Sequence, residues 1–380
     1  MLIEVPKGLN GVAVTDTSIG DVLGDEGRFH YRGHDATDLA RRNSFEEAWH
    51  LVAVGHLPSP GELAAFGEQL AVARVLPPSL EPLLEPLART AGAQLGRVRA
   101  ALSIAADDLG VRPLVDLTPD ERAEQAIRVS AALPAIVAAL HRASLGLDPV
   151  SPDGELGTAA AYLQMVTGQR PGPAAARALE HYLTLTIDHG FNASTFTARV
   201  VAATGADLAD VVGAALGALR GPLHGGAPSR ALDALDAIGD PARTPTVVED
   251  WVRAELAAGR RIMGFGHAVY RTRDPRSDVL REVAETMAAA GVETDLVRRA
   301  VDVEQRIAAT LHEAKPDHPL PSNVEFYAGV VMAGAGLPRA LFTPTFAISR
   351  AIGWCTHAVE QAAEGKLIRP SARYVGPPLA

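Results

Sequence analysis

Helix-start signals recur along this chain more than any other pattern, and they limit what it can fold into. Ser59-Pro60-Gly61-Glu62 and Thr118-Pro119-Asp120-Glu121 each place a capping hydroxyl, a proline at the first helical position, and a glutamate three residues after the hydroxyl. The hydroxyl and the glutamate pair backbone N–H groups that a helix start otherwise leaves unsatisfied. Thr246-Val247-Val248-Glu249 repeats the box, and a helix begun there can stop at Gly259. From Ala174 to His189, the residues Leu179, Tyr182, Leu183, Thr186 and Ile187 recur at helical spacing, with Gly190 as the break. Ala206 to Leu219 reads as another helix, ended by Gly221-Pro222. Alternating strand patterns are scarce, and the best candidates are Val12-Ala13-Val14 and Phe29-His30-Tyr31. The chain is 47% hydrophobic but only 5% aromatic, so its interior is built mainly of Ala, Leu and Val, which suits close-packed helices. The expected fold class is mainly α.

A chain of 380 residues forms one large domain or two unequal ones, with ample core. Its net charge of -10 argues against a nucleic-acid partner, which requires clustered positive charge. A local pocket of arginines for a small anion stays compatible with it. Cys355 is the single cysteine, so intrachain disulfides and cysteine-based zinc sites are excluded. Met1 to Gly8 shows no basic region followed by an apolar one. The apolar run Ala131 to Leu140 is too short to span a bilayer and contains Pro134. The expectation is a soluble, reduced, cytoplasmic protein with no membrane partner.

Two loops rich in Gly and Pro, Gly221 to Pro228 and Gly264 to Pro275, interrupt the helices and suit hinges that close a smaller segment over a ligand. In Gly264-Phe265-Gly266-His267-Ala268-Val269-Tyr270-Arg271, closing on Asp274-Pro275-Arg276, two glycines permit close backbone approach and Asp-Pro forces a turn before Arg276. A tight structural turn is the ordinary alternative for His267. His224 lies in Gly221-Pro222-Leu223-His224-Gly225-Gly226, where a solvent-facing loop tip is the alternative. His189 ends the predicted helix before Gly190, where a histidine also serves as a dipole partner. Glu325 follows Ser322 at capping-box spacing, so a purely structural cap competes with a catalytic role. Metal-ligand spacing, a phosphate-binding loop and a serine-hydrolase elbow are all missing from the sequence. Histidines and one carboxylate ringed by arginines suit proton abstraction beside a carbonyl. The carboxylate takes a carbon-bound proton, imidazole N–H groups stabilise the oxyanion, and arginines grip carboxylates.

In this order, these motifs resemble citrate synthases of the shorter, dimeric type. The similarity runs from Gly8-Leu9-Asn10-Gly11-Val12 and Tyr31-Arg32-Gly33 to Ile368-Arg369-Pro370 and Tyr374-Val375-Gly376. It implies a citrate synthase-like fold, with a large helical domain (1–223 and 328–380) and a smaller inserted helical domain (224–327) carrying coenzyme A and catalytic residues. It implies an acyltransferase that condenses acetyl-CoA with oxaloacetate and water to give citrate and CoA. Acetyl-CoA would be a co-substrate, and no cofactor would be permanently bound. A 2-methylcitrate synthase using propionyl-CoA is the nearest alternative; a non-catalytic acyl-CoA or dicarboxylate binder is another. The resemblance assigns His224 to the thioester oxygen, His267 to the oxaloacetate ketone, and His189, Arg276 and Arg350 to oxaloacetate binding. Arg369 would complete the site of the partner subunit in a homodimer. Gly264, Phe265, Gly266 and Arg271 would bind coenzyme A. Two departures stand out: Glu325, where the family normally has an aspartate base, and Gly190-Phe191 after His189.

Overall fold

The computed structural model of this chain describes residues 3–378, apart from 222, 223, 225, 226, 243, 268, 271 and 318, and the backbone alone at 227–230. Among them run sixteen α-helices: α1 (Ala36–Arg42), α2 (Phe45–Val54), α3 (Pro60–Ala73), α4 (Leu84–Arg89), α5 (Gln94–Ile104), α6 (Pro119–Ser144), α7 (Thr158–Thr167) and α8 (Pro173–Thr186), followed by α9 (Ala193–Ala202), α10 (Leu208–Leu219), α11 (Ala227–Ile238), α12 (Val247–Ala257), α13 (Pro275–Ala289), α14 (Thr294–Ala314), α15 (Val324–Gly334) and α16 (Phe342–Glu364). One antiparallel sheet precedes them, in the order β1 (Gly20–Leu23), β2 (Arg28–Tyr31), β3 (His34–Asp35). Gly20 stands opposite Tyr31, and His30 opposite Asp35.

Capping chemistry sets several of the starts. Ser59 and Thr118 cap α3 and α6 through complete capping boxes with Glu62 and Glu121. Thr246 precedes α12 without a side-chain cap, its φ of -104° and ψ of 3° lying outside the extended cap conformation, and the Glu249 carboxylate accepts instead from Arg306 Nε at 2.9 Å. Phe29 to Tyr31 lies in β2, as expected. Val12 to Val14 is not a strand: no neighbouring segment pairs with it, and Val14 is exposed. α8 stops at Thr186, three residues before His189, so the helix-end reading of that histidine does not hold.

The core centres on α16 and α6, which pack on each other, with α9 and α10 also against α16. Both central helices carry long buried runs, including Phe342, Trp354 and Cys355 on α16. Pro134 is buried inside α6. By length and composition α6 would suffice to cross a membrane, yet 83% of its apolar window is buried within the fold. α13 packs against both α15 and α8, and α14 packs against α12 and α13. A cleft opens where the segment after α8, the loop before α13, the start of α15 and one face of α16 converge.

Candidate active site

The cleft encloses about 590 Å³ and is lined by His189, His224, Gly266, His267, Arg276, Glu325 and Arg350 among others. Residues as far apart in sequence as His189 and Arg350 therefore share one wall.

Asp274 builds the first corner. It caps α13 by accepting from the Arg276 backbone N–H at 3.1 Å, and Pro275 occupies the first helical position. The same carboxylate receives Nε and Nη2 of Arg276 at 3.0 and 2.9 Å, a bidentate pair buried almost completely. Burial opposes the charge on Asp274, but Arg276 outweighs it and holds the carboxyl below its ordinary range. Asp274 also accepts from the Val324 N–H at 2.9 Å, which ties the start of α15 to the start of α13.

Backbone donors fix the tautomer of His267. Its Nδ1 accepts from the N–H groups of Val269 and Tyr270 at 3.0 and 3.1 Å, so the neutral ring carries its hydrogen on Nε2. Burial, helped by Arg276, lowers its pKa to about 4, and the ring is neutral at physiological pH. Arg276 Nη2 lies 3.3 Å from that Nε2. Both atoms are then donors, so they lie side by side at the cleft rather than bonding each other.

His224 is set by the start of α9. Asn192 caps that helix, and the N–H of Ser194 reaches His224 Nε2 at 3.3 Å, with Ser194 Oγ at 2.8 Å. A backbone N–H only donates, so Nε2 accepts and Nδ1 carries the hydrogen. Trp354 Nε1 donates to Ser194 Oγ at 3.2 Å, fixing the serine from α16. Burial, with Arg350 adding to it, lowers the His224 pKa.

His189 lies in the turn that follows α8. Its Nε2 is 2.9 Å from the Tyr270 hydroxyl, and its ring meets those of Phe29 and His267 edge-on. Burial, reinforced by Arg276 and Arg350, places its pKa well below the ordinary imidazole value. Arg350 is buried; its Nε donates to the Thr186 carbonyl at 2.9 Å and its guanidinium stacks on Phe346 at 4.6 Å.

Glu325 occupies the first turn of α15, where the helix N-terminus favours negative charge. The capping-box alternative fails. Asn323, not Ser322, is the cap and accepts from the Glu325 N–H at 3.0 Å, while Ser322 donates to Glu304 at 2.6 Å. The Gly264–Gly266 strip is joined to the chain just before α15. Asn323 N–H donates to the Gly264 carbonyl at 2.8 Å, Gly266 N–H to the Pro321 carbonyl at 2.8 Å, and Asn323 Nδ2 to the Gly266 carbonyl at 2.7 Å. The loop that bears His267 and the helix that bears Glu325 are therefore one cross-linked unit.

A protein-family model described as "Citrate synthase, C-terminal domain" matches residues 8–371. The chain belongs to the citrate synthase family. It is 36% identical to a citrate synthase of Haloferax volcanii over 374 residues, covering 98% of this chain and 96% of that one. It is 39% identical to a 2-methylcitrate synthase of Mycobacterium tuberculosis over 374 residues, covering 98% and 91%. Among solved structures, a citrate synthase of Thermoplasma acidophilum in a ternary complex with carboxymethyl coenzyme A and oxaloacetate superposes with a TM-score of 0.88 at 28% identity, covering 99% and 97%. That of Thermotoga maritima gives 0.84 at 34%, covering 98% and 96%. As a citrate synthase family member the chain is an acyl-transferring enzyme with a mainly α fold.

Not every candidate meets in the cleft. Gly264 and Phe265 do not line it, and the Phe265 ring packs against Phe326. Arg369 is exposed in the segment after α16, away from the cleft of its own chain. Arg271 falls outside the described residues. Sequence reasoning missed Tyr270, Ser194, Tyr182 and Phe346 as parts of the site. Only the Asn192-Ala193-Ser194 capping pattern carried a local signal for any of them. Among the described residues no cluster of three or more His, Cys, Asp or Glu suited to a metal occurs.

Proposed function

We propose that this protein condenses acetyl-CoA with oxaloacetate and water to give citrate and CoA. The observation that carries the reading is the pair of imidazoles, His224 and His267, whose tautomers are set by backbone donors and which line one cleft with buried arginines and a carboxylate. Arg276, Arg350 and His189 hold the carboxylates of oxaloacetate. Glu325 removes a methyl proton from acetyl-CoA while His224 donates through Nδ1 to the thioester oxygen. The resulting enol carbon attacks the ketone, whose oxygen receives a hydrogen bond from Nε2 of His267. Water then cleaves the citryl thioester, releasing citrate and CoA. Neutral imidazoles suit this role because they donate to a developing oxyanion without surrendering a full proton beforehand.

Residues 224–327 serve in this reading as the smaller domain that closes over the substrates and keeps water out until condensation is complete. Gly264, Phe265, Gly266 and Arg271 contribute to coenzyme A binding, the first three by shaping the loop. Arg369, exposed in its own chain, completes the site of a partner subunit in a homodimer. The lone, buried Cys355 fits a reducing, cytoplasmic compartment.

The similarity to a 2-methylcitrate synthase supports a second reading, in which propionyl-CoA is the preferred thioester. One methylene in an apolar pocket discriminates by about 1–3 kcal/mol, so activity with both thioesters is compatible with one cleft. Release of CoA measured with acetyl-CoA and with propionyl-CoA, each with and without oxaloacetate, tests both readings. Oxaloacetate-dependent release from acetyl-CoA with the higher kcat/KM supports the first reading, and a preference for propionyl-CoA supports the second. Release from neither would sink both.

A further inference from the structure

We propose that His357 is a positioning residue for oxaloacetate binding, acting through Asp188 on the segment that carries His189. The inference rests on the reading of the cleft as an oxaloacetate site. Arg350, Gly353 and His357 are spaced three and four residues apart on α16 and so share one face of the helix. That face lies along residues 186–190. Arg350 donates to the Thr186 carbonyl. Gly353 makes room, because a Cβ there would strike the Ile187 carbonyl oxygen and come within 3.2 Å of Asp188 Oδ1. His357 Nε2 faces that same Oδ1 at 3.4 Å.

The ring of His357 is oriented from its far side. Arg199 is fully buried and only donates, and its Nη1 lies 3.3 Å from His357 Nδ1. Nδ1 therefore accepts, and the ring hydrogen sits on Nε2, toward Asp188. Arg199 is itself held by Gln361 at 2.8 Å, Glu360 at 2.5 Å and Glu364 at 2.9 Å. Asp188 Oδ1 and His357 Nε2 are both buried, and among the described residues neither has another hydrogen-bond partner. Each is the natural partner of the other, and a small displacement aligns them into a bond. The second oxygen of Asp188 accepts from the Gly190 N–H at 3.2 Å, so its carboxylate fastens the chain on either side of His189. The Tyr31 hydroxyl donates to the Asp188 carbonyl at 3.2 Å and the Thr184 carbonyl at 3.0 Å, closing the segment from the sheet. A donor chain thus runs from Arg199 through His357 to Asp188 and ends beside a substrate-binding histidine, while His357 itself does not line the cleft.

The test uses the full-length protein, with oxaloacetate titrated by calorimetry and KM and kcat measured for both substrates. His357→Gln keeps an amide N–H near the Nε2 position and so preserves the donor toward Asp188. His357→Asn keeps an acceptor toward Arg199 but is too short to reach Asp188. Expected for His357→Asn is an oxaloacetate Kd and KM raised about tenfold or more, as for a misplaced binding group. The acetyl-CoA KM should hold within about twofold, and His357→Gln should recover most of the loss. No change in oxaloacetate binding, equal changes for both substrates, or equal damage by Asn and Gln would overturn the role. If His357→Asn does not fold, Asp188→Asn is read in the same way; failure of all three variants to fold makes the contact one of stability and overturns the proposal. A wild-type protein that neither binds nor condenses oxaloacetate removes the functional reading and this inference with it. Normal wild-type condensation beside an unaffected His357→Asn removes the inference alone.

Discussion

Glu325 has one methylene more than the aspartate usual in this family, and the start of α15 determines where that reach ends. Asn323 caps the helix and Asp274 holds the Val324 N–H, so the backbone beneath the carboxylate is held from two directions. As the proposed base, it should be replaceable by glutamine without loss of binding. Expected for Glu325→Gln is a fall in kcat on the order of 10²–10⁴, the usual worth of a general base, with oxaloacetate affinity by calorimetry unchanged. An unaltered kcat would reassign the base. The role of this residue was only half legible in the sequence, since Ser322 and Glu325 have the spacing of a capping box. What broke the ambiguity was Glu304, eighteen positions upstream and buried, which takes the Ser322 hydroxyl for itself. Such a competitor is visible only once α14 and α15 are packed together.

Among the elements, legibility followed the range of the forces involved. Ser59 and Thr118 announce their helices because a capping box is complete within four residues. Thr246 misleads because its backbone lies outside the extended cap conformation, and Glu249 pairs instead with Arg306 from a different helix. Val12 to Val14 misleads because alternation makes a strand only where a partner strand is at hand. The glycines before His267 were legible as a close approach, and their backbone explains why. Gly266 has φ +76°, and a Cβ there would lie 2.9 Å from Leu320 Cδ2. Leu320 can swing aside, but the left-handed backbone strains any side chain there, so Gly266→Ala should shift the loop and lower kcat/KM at least about tenfold, given the sensitivity of reacting groups to displacement near 1 Å. Thr118→Ala, remote from the cleft, should lower unfolding free energy by about 1 kcal/mol and leave kcat untouched. Steady-state kinetics and urea denaturation of the two variants side by side check both outcomes.

For the whole molecule, three neutral histidines in one cleft carry a stability cost at acid pH. Burial, with cationic neighbours adding to it, lowers the pKa of His189, His224 and His267. Their unfolded counterparts titrate near 6.5, so below that value the unfolded chain binds protons that the folded one refuses. Stability from this source is complete above pH 6.5 and declines as pH falls toward about 4, the folded value for His267. The urea midpoint should therefore drop between pH 7 and pH 5, and His267→Asn should flatten that slope. The proposed dimer makes a separate forecast. A heterodimer of Glu325→Gln with Arg369→Gln has one site lacking both groups and one site intact. Mixing the two inactive variants under conditions that exchange subunits should restore turnover, whereas an Arg369 acting within its own chain would restore none. The backbone bonds that join Gly264 and Gly266 to Pro321 and Asn323 bear on how such enzymes diversify. In the proposed mechanism His267 and Glu325 come as a prealigned pair, so a lineage can try new thioesters by varying Leu219, Thr343 or Phe346 on the cleft wall without disturbing that alignment.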